Sequence, residues 1–257
     1  MSPRRLKYRR RPQPNIFAIL IAMLGFLCLP ALFAFAHAKG VPETARSRAA
    51  VEAVSAPLKA ALAEKGLALG SPVFLQITKA PAELTAYVQD TEGNLQPFRT
   101  WPVCSMSGGL GPKMSEGDLQ APEGFYKVTP GQMNPASSYH LSFNLGYPNA
   151  FDRANARTGS FLMVHGSCVS IGCFAMTDPV IEEVWTLMQA AFEGGQSAVD
   201  VHIFPFPMTA ANMAAQGGSE HAAFWQGLKP AWDAFEASGK VPGVRVAGKA
   251  YQLLSVQ

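Results

Sequence analysis

At 257 residues and 27.5 kDa, with 48% apolar and 15% charged residues, the chain is long enough for one sizeable domain with extensions. It is too apolar and too weakly charged to be disordered. The formal charge of +3 sits in a leader: Arg4, Arg5, Lys7, Arg9, Arg10 and Arg11 precede Ala38 with no acidic residue among them, which leaves 15 basic against 18 acidic residues beyond. A nucleic-acid binder keeps its basic excess in the folded part, so that class is excluded and no nucleic-acid partner is expected.

Residues 16–36 carry no charge, and Ala36-His37-Ala38 follows ahead of Lys39. A positive start, an apolar run and a small-x-small end are the parts of a secretory signal peptide cleaved after Ala38. A run of ~20 apolar residues also suffices for a retained membrane anchor, in which case the membrane is a partner too. Either way the basic residues stay cytoplasmic and everything beyond residue 38 is exported. Cys28 lies in the apolar run, leaving Cys104, Cys168 and Cys173. An odd cysteine count in an oxidising compartment flags one free thiol.

Residues 43–65 are Ala-rich, with Pro57 as a break and Gly66 as a stop, and read as one interrupted helix or two short ones. Three β-prone runs follow, over 73–78, 84–89 and 95–104, separated by Ala-Pro and Glu-Gly-Asn turn signals. Residues 105–122 are loop-like, and 139–145 and 160–165 read as further strands. Asp178-Pro179 opens a helix with Asp178 as N-cap and Pro at the first position. Val184, Trp185, Met188 and Phe192 recur at helical spacing until Gly194-Gly195 ends it. Residues 199–204 read as a late strand. Beyond Pro207 the chain turns helical again, with Trp225, Trp232 and Phe235 as packing residues. The sum is a β-rich α+β chain: a leader over 1–38, an N-terminal helical segment over 39–71, a central domain over 72–210 and a C-terminal helical extension over 211–257.

One stretch offers chemistry. His165-Gly166-Ser167-Cys168-Val169-Ser170-Ile171-Gly172-Cys173 sets an imidazole eight residues before a thiol, with glycines between. A cysteine attacks as thiolate, and an unperturbed thiol is mostly protonated at neutral pH. A nearby imidazole takes the proton, or holds the pair as thiolate and imidazolium. Backbone amides beside the cysteine stabilise the oxyanion that forms on an attacked carbonyl. Gly172 removes the side chain that would obstruct that approach. From spacing alone, an ordinary hydrogen-bonded strand histidine explains His165 equally well.

The surrounding residues resemble a family. His165-Gly166-Ser167 followed by Ser170-Ile171-Gly172-Cys173 resembles the signature of YkuD-type L,D-transpeptidases, bacterial cell-wall enzymes with a cysteine nucleophile. Upstream, Gly111-Pro112-Lys113, Glu116-Gly117-Asp118 and Ala121-Pro122-Glu123-Gly124-Phe125-Tyr126 are similar to the family's stretch in which a Pro-x-Gly-x-aromatic segment leads into a strand. Residues 142–149, Arg157-Thr158-Gly159 and Cys173-Phe174-Ala175-Met176-Thr177-Asp178 resemble the YafK-like branch. The resemblance covers residues 72–208. It implies a mixed β-sheet core, sandwich- or barrel-like, with flanking helices, and no metal or organic cofactor. It implies Cys173 as nucleophile, His165 as general base, Ser170 as a positioning group, and the amides of Gly172 and Cys173 as oxyanion donors. The implied partner is the peptidoglycan stem peptide, attacked at its third residue with release of terminal D-alanine, in the periplasm. A wall-linked lipoprotein is a further partner class.

The chain departs from the widespread motif: the gap from His165 to Ser170 is short, Ile171 replaces a second histidine, and Ala175 stands near an expected arginine. Without that arginine a carboxylate fork is missing, and Arg153, Arg157 or Lys113 is the substitute. Whether the thioester passes to an amine or to water is left open, which sets a hydrolase beside the transpeptidase. A non-catalytic wall-binding module is the remaining alternative. Cys104 and Cys168 either bridge, leaving Cys173 as the odd thiol, or remain two buried thiols. Pairing Cys168 with Cys173, or zinc held by both with His165 and His202, has the wrong spacing. His140 and His202 read as ordinary strand histidines, and His221 as solvated. Lys79, Lys113 and Lys127 are too dispersed to form a patch.

Overall fold

A computed structural model describes residues 40–254; the leader, with its expected signal peptide or anchor and Cys28, lies outside the described residues. Helix α1, Ala45–Ala63, precedes a five-stranded sheet with strand order β3-β2-β1-β9-β4. Its members are β1 (Val73–Lys79), β2 (Ala82–Gln89), β3 (Leu95–Pro102), β4 (Gly124–Val128) and β9 (Val199–Phe204). Strands β1 to β3 form an antiparallel meander, β9 runs parallel to β1, and β4 pairs antiparallel with β9.

Strand β1 is buried at all seven positions, as a central strand next to a parallel partner must be. Its alternate faces meet different layers. Val73, Leu75 and Ile77 join the main core with Leu58 and Leu62 of α1 and with Ile181, Val184 and Trp185 of α3 (Asp178–Glu193). Phe74 faces the other way and packs 4.9 Å from Phe235 on α5 (Ala222–Ser238).

A second sheet, ordered β5-β6-β7-β8, is made of much shorter strands: β5 (Met133–Asn134), β6 (Ser142–Asn144), β7 (Met163–His165) and β8 (Phe174–Ala175). Two short helices, α2 (Ala150–Ala154) and α4 (Ala210–Ala215), a 3-10 turn at Pro130–Gln132 and a hairpin of β10 (Val244–Ala247) and β11 (Ala250–Leu253) complete the described elements. The fold is therefore a β-rich α+β arrangement of mixed sheets with flanking helices. No described helix is long and apolar enough to cross a membrane.

Several expectations are corrected. Pro57 does not break α1, which runs through it. A buried face of Ala50, Leu58 and Leu62 offsets the ~3 kcal/mol that an interior proline costs a helix. Gly66, at φ +71, does close the helix end, where the Leu67 N–H reaches back to the Leu62 carbonyl at 2.9 Å. The runs over 139–145 and 160–165 shrink to three-residue strands.

The C-terminal extension is not purely helical. Its hairpin turns at Gly248, φ +58. The extension is locked onto the sheet by Trp225 Nε1, which donates to Glu123 Oε2 at 2.8 Å. Glu123 also takes the Gly111 N–H and a 3.1 Å ion pair from Lys79, both side chains fully buried. Lys79 is thus a buried partner rather than a surface charge, its pKa lowered by burial against the pull of Glu123.

Candidate active site

Parallel pairing of β7 with β8 sets Val164 opposite Phe174 and His165 opposite Ala175, so the residue just before β8 lies beside the start of β7. His165 closes β7 and Cys173 immediately precedes β8. Together with Tyr139, Val169, Ser170 and Ile171 they line one cleft of about 200 Å³. Sequence reasoning joined His165, Ser170 and Cys173 by spacing, and all three line the same cleft.

The loop between the two strands is fixed from several sides. A disulfide links Cys168 to Cys104, just past β3, with the Cα atoms 5.3 Å apart. The alternative of two buried thiols therefore falls away, as does pairing of Cys168 with Cys173. Cys173 is the free cysteine among the described residues. The Cys168 N–H donates to the Met176 carbonyl, and the Cys104 N–H to that of Ala175. Ser167 and Cys168 both adopt left-handed backbone, at φ +67 and +50, a conformation that costs non-glycine residues and persists where surroundings impose it.

Asp178 supplies part of that imposition. It is the first residue of α3, whose N-cap is Thr177, and its Oδ1 accepts the Ser167 N–H at 2.7 Å. The expected capping role is thus replaced by a tie to the loop. Gly166 is glycine for space, because a Cβ there would lie 2.5 Å from Asp178 Oδ1. Gly172 is glycine for conformation: its φ is +114, while a Cβ would meet nothing closer than 3.7 Å.

His165 is buried, and its Nδ1 lies 2.7 Å from the Gly166 carbonyl. A carbonyl only accepts, so Nδ1 carries the proton and Nε2 presents a lone pair. Burial pushes the imidazole pKa down, against the Gly166 bond, which raises it. The Cys173 thiol lies 3.7 Å from the Phe161 carbonyl. Burial pushes its pKa up, while a Met163 backbone bond and the charge of Lys113 pull it down. Both net shifts favour neutral partners, a thiol and an imidazole, over a preformed ion pair. Ser170 Oγ donates to the Cys173 carbonyl at 2.6 Å. The Gly172 and Cys173 amides take no part in the loop bonds made by Cys168, Ala175 and Met176.

The three cations proposed for substrate do not line this cleft. Arg157 is buried, pairs with Asp152 at 3.0 Å and lies over the rings of Phe151 and Phe224. Lys113 is buried against Asp118 at 2.5 Å and reaches the site only through its charge. Arg153 donates to the Pro148 carbonyl and lines a different cavity, of about 750 Å³, beside the C-terminal hairpin.

His202 is also corrected. It is buried in β9 between Phe74 and Phe125, its Nδ1 has no hydrogen-bond partner, and burial drives its pKa down to about 3. His140 is bonded to Glu182 at 2.7 Å, and His221 packs 5.7 Å from Trp225 instead of being fully solvated. Among the described residues no group of three metal-ligating side chains converges. Sequence reasoning missed Tyr139, whose ring lies 4.7 Å from His165; no spacing signal connects residues so far apart in the chain.

No protein-family model matches the chain. Over 183 residues it is 45% identical to the provisionally named L,D-transpeptidase YafK of Escherichia coli strain K12, a match spanning 71% of this chain and 74% of the relative. The protein of the same name from strain O157:H7 gives the same figures. Among solved structures, a mutant form of the helical cell shape determining protein Pgp2 from Campylobacter jejuni aligns at TM-score 0.44 and 22% identity, over 74% of this chain and 66% of that one. Another structure of Pgp2 aligns at TM-score 0.42 and 18% identity, over 77% and 84%. Identity of 45% across nearly three quarters of the YafK sequence, together with the His-Gly-Ser and Ser-x-Gly-Cys elements meeting at one cleft, makes the chain a member of the YkuD-type L,D-transpeptidase family, in its YafK-like branch.

Proposed function

We propose that the chain is an exported cysteine L,D-transpeptidase that acts on peptidoglycan stem peptides through a thioester on Cys173. The observation that carries this reading is that the one free thiol of the described chain and an imidazole with an available lone pair line the same cleft. Cys173 Sγ attacks the carbonyl carbon of the third stem residue while its proton passes to His165 Nε2. The negative charge arriving on the carbonyl oxygen is met by the Gly172 and Cys173 amides. Collapse expels the D-alanine amine, which takes the proton back from His165 and leaves the acyl group on sulfur. An incoming amine then attacks the thioester and restores the thiol. The neutral resting pair makes His165 a base that works at the moment of attack. The basic and apolar leader of the sequence supports export to the periplasm.

Intact mass of the protein after exposure to a tetrapeptide muropeptide tests the reading. A covalent adduct on the wild-type, absent from Cys173→Ala, is expected; turnover by Cys173→Ala at the wild-type rate overturns it. Binding to murein sacculi without any adduct would leave only a wall-binding module.

A second reading is a hydrolase with the same chemistry and water as acceptor, acting on a stem-peptide or lipoprotein linkage. It is favoured by the engagement of Arg157, Lys113 and Arg153 away from the cleft, where a transferase gains from a cationic fork for the acceptor carboxylate. Muropeptide analysis separates the two: new cross-links mean transfer, shortened peptides alone mean cleavage.

A further inference from the structure

A general base must be aimed as well as present. The Nδ1 bond to the Gly166 carbonyl fixes one point of the His165 ring, but a ring held at one point still tilts about that bond. Its face is covered by Tyr139, with ring centroids 4.7 Å apart and planes inclined by 34°. Tyr139 is 43% exposed and lies outside any strand, in the irregular segment between β5 and β6. Yet the segment that carries it is tied from three elements.

From the exit of β7, the Gly166 N–H donates to the Tyr139 carbonyl at 3.0 Å. From α3, Glu182 pairs at 2.7 Å with His140, itself in left-handed backbone at φ +63. From the first turn of α1, Arg46 Nη1 donates to the Ser137 and His140 carbonyls at 2.8 and 2.7 Å, on either side of Tyr139. The N-cap residue Thr44 adds a bond to the Pro135 carbonyl at 3.2 Å. An exposed aromatic on a segment with this many ties is held for what its ring touches, and its ring touches the imidazole.

We propose that Tyr139 is a positioning residue for His165, fixing the tilt of the ring and shielding its face from water, and that Arg46 holds Tyr139 in place. The N-terminal helix is then part of the site's machinery rather than a separate segment. The inference rests on His165 and Cys173 being the reacting pair. The groups in contact with the imidazole are the Tyr139 ring and the Gly166 carbonyl, and the Cys173 thiol lines the same cleft. The charged and titratable groups beyond these are Glu182 with His140, Arg46, Asp178 on the Ser167 amide, and Lys113.

The test uses the full chain with Tyr139→Phe, Tyr139→Ala and Arg46→Ala. His165 is titrated by NMR, its resonance assigned with His165→Gln, and thioester formation from a tetrapeptide muropeptide gives kcat and KM. Tyr139→Ala is expected to move the imidazole pKa up toward its ordinary value and to lower kcat at least tenfold, with KM within threefold. Tyr139→Phe, which keeps the ring, is expected to stay within twofold on every measure. Arg46→Ala should move the titration in the same direction and lower kcat threefold or more. An unchanged His165 titration in Tyr139→Ala, or a Tyr139→Phe variant as impaired as Tyr139→Ala, overturns the role of Tyr139. A silent Arg46→Ala overturns that of Arg46. Absence of thioester on the wild-type would overturn the reading of Cys173 instead, and the imidazole titration would still decide whether Tyr139 covers His165.

Discussion

In the five-stranded sheet, strands of five to eight residues are held by their own ladders; in the four-stranded sheet, strands of two or three residues are held by what surrounds them. Strand β1 is buried throughout and carries seven paired positions with β2 alone. Strand β8 pairs at two positions with β7, and its other edge is tied by Ser105 and Cys104. The first sheet is a scaffold whose order comes from burial of apolar surface. The second carries the cleft, and its order comes from single bonds: a disulfide, Asp178 on the Ser167 amide, Ser170 on the Cys173 carbonyl. Reactive groups need backbone that bends out of regular ladders, and such backbone has to be tied point by point.

The strongest way to break the scaffold is through its buried polar joint. Glu123→Ala leaves Lys79 buried without a counter-charge and strips partners from Trp225 and the Gly111 amide. Removing one member of a buried pair costs about 3–5 kcal/mol. Urea unfolding is expected to show a loss of that size, and a midpoint within error of wild-type would mean the joint is solvated.

The disulfide sharpens the contrast between the sheets. Cys104→Ser with Cys168→Ser opens a loop spanning 64 positions, with an expected loss of about 2–4 kcal/mol. The loss should be local first: hydrogen exchange should accelerate at the Ala175 and Met176 amides while those of Leu75 and Ile77 stay protected. Equal acceleration in both sheets would refute the division.

Long and short elements also differ in what a sequence reveals. Strand β1 announces itself through Val73, Phe74, Leu75 and Ile77, and β9 through Val199, Val201, Ile203 and Phe204, because burial is what makes them strands. Strands β5 and β8, at two residues each, leave no periodic trace. The 139–145 run was too long because Tyr139 and His140 are apolar or aromatic for reasons of the site rather than of a ladder. The β10–β11 hairpin was legible in Val-Arg-Val-Ala-Gly-Lys-Ala-Tyr-Gln-Leu, an alternation around a Gly turn, but the helical texture before it hid the change. Cys173 and His165 could be paired from the motif alone. The positions of Lys113, Arg153 and Arg157 could not, since a cation's partner is a matter of tertiary contact.

His202 extends the comparison to pH. Buried between Phe74 and Phe125, its pKa lies at about 3. The unfolded chain therefore binds a proton that the folded chain refuses, so stability is full above pH 6.5 and falls as pH drops toward 3. Between pH 7.5 and pH 5 this one residue is expected to account for a loss of about 2 kcal/mol. His202→Phe should flatten that part of the curve relative to wild-type. An identical slope in the two proteins would place the pH sensitivity elsewhere.

The smallest expected stability effect belongs to Ile171, and it bears on the site most directly. Replacing the histidine expected at this position, Ile171 invites a packing role, but the side chain is 78% exposed on the wall of the cleft. Exposed substitutions away from caps and buried pairs change stability by less than about 0.5 kcal/mol. Ile171→Ser is therefore expected to leave the urea midpoint unchanged. An apolar wall that contributes nothing to folding is available for substrate, and the loss should show as a rise in KM for the muropeptide with kcat preserved. A drop in stability of 2 kcal/mol or more would return Ile171 to the core and make the cleft narrower than its lining implies.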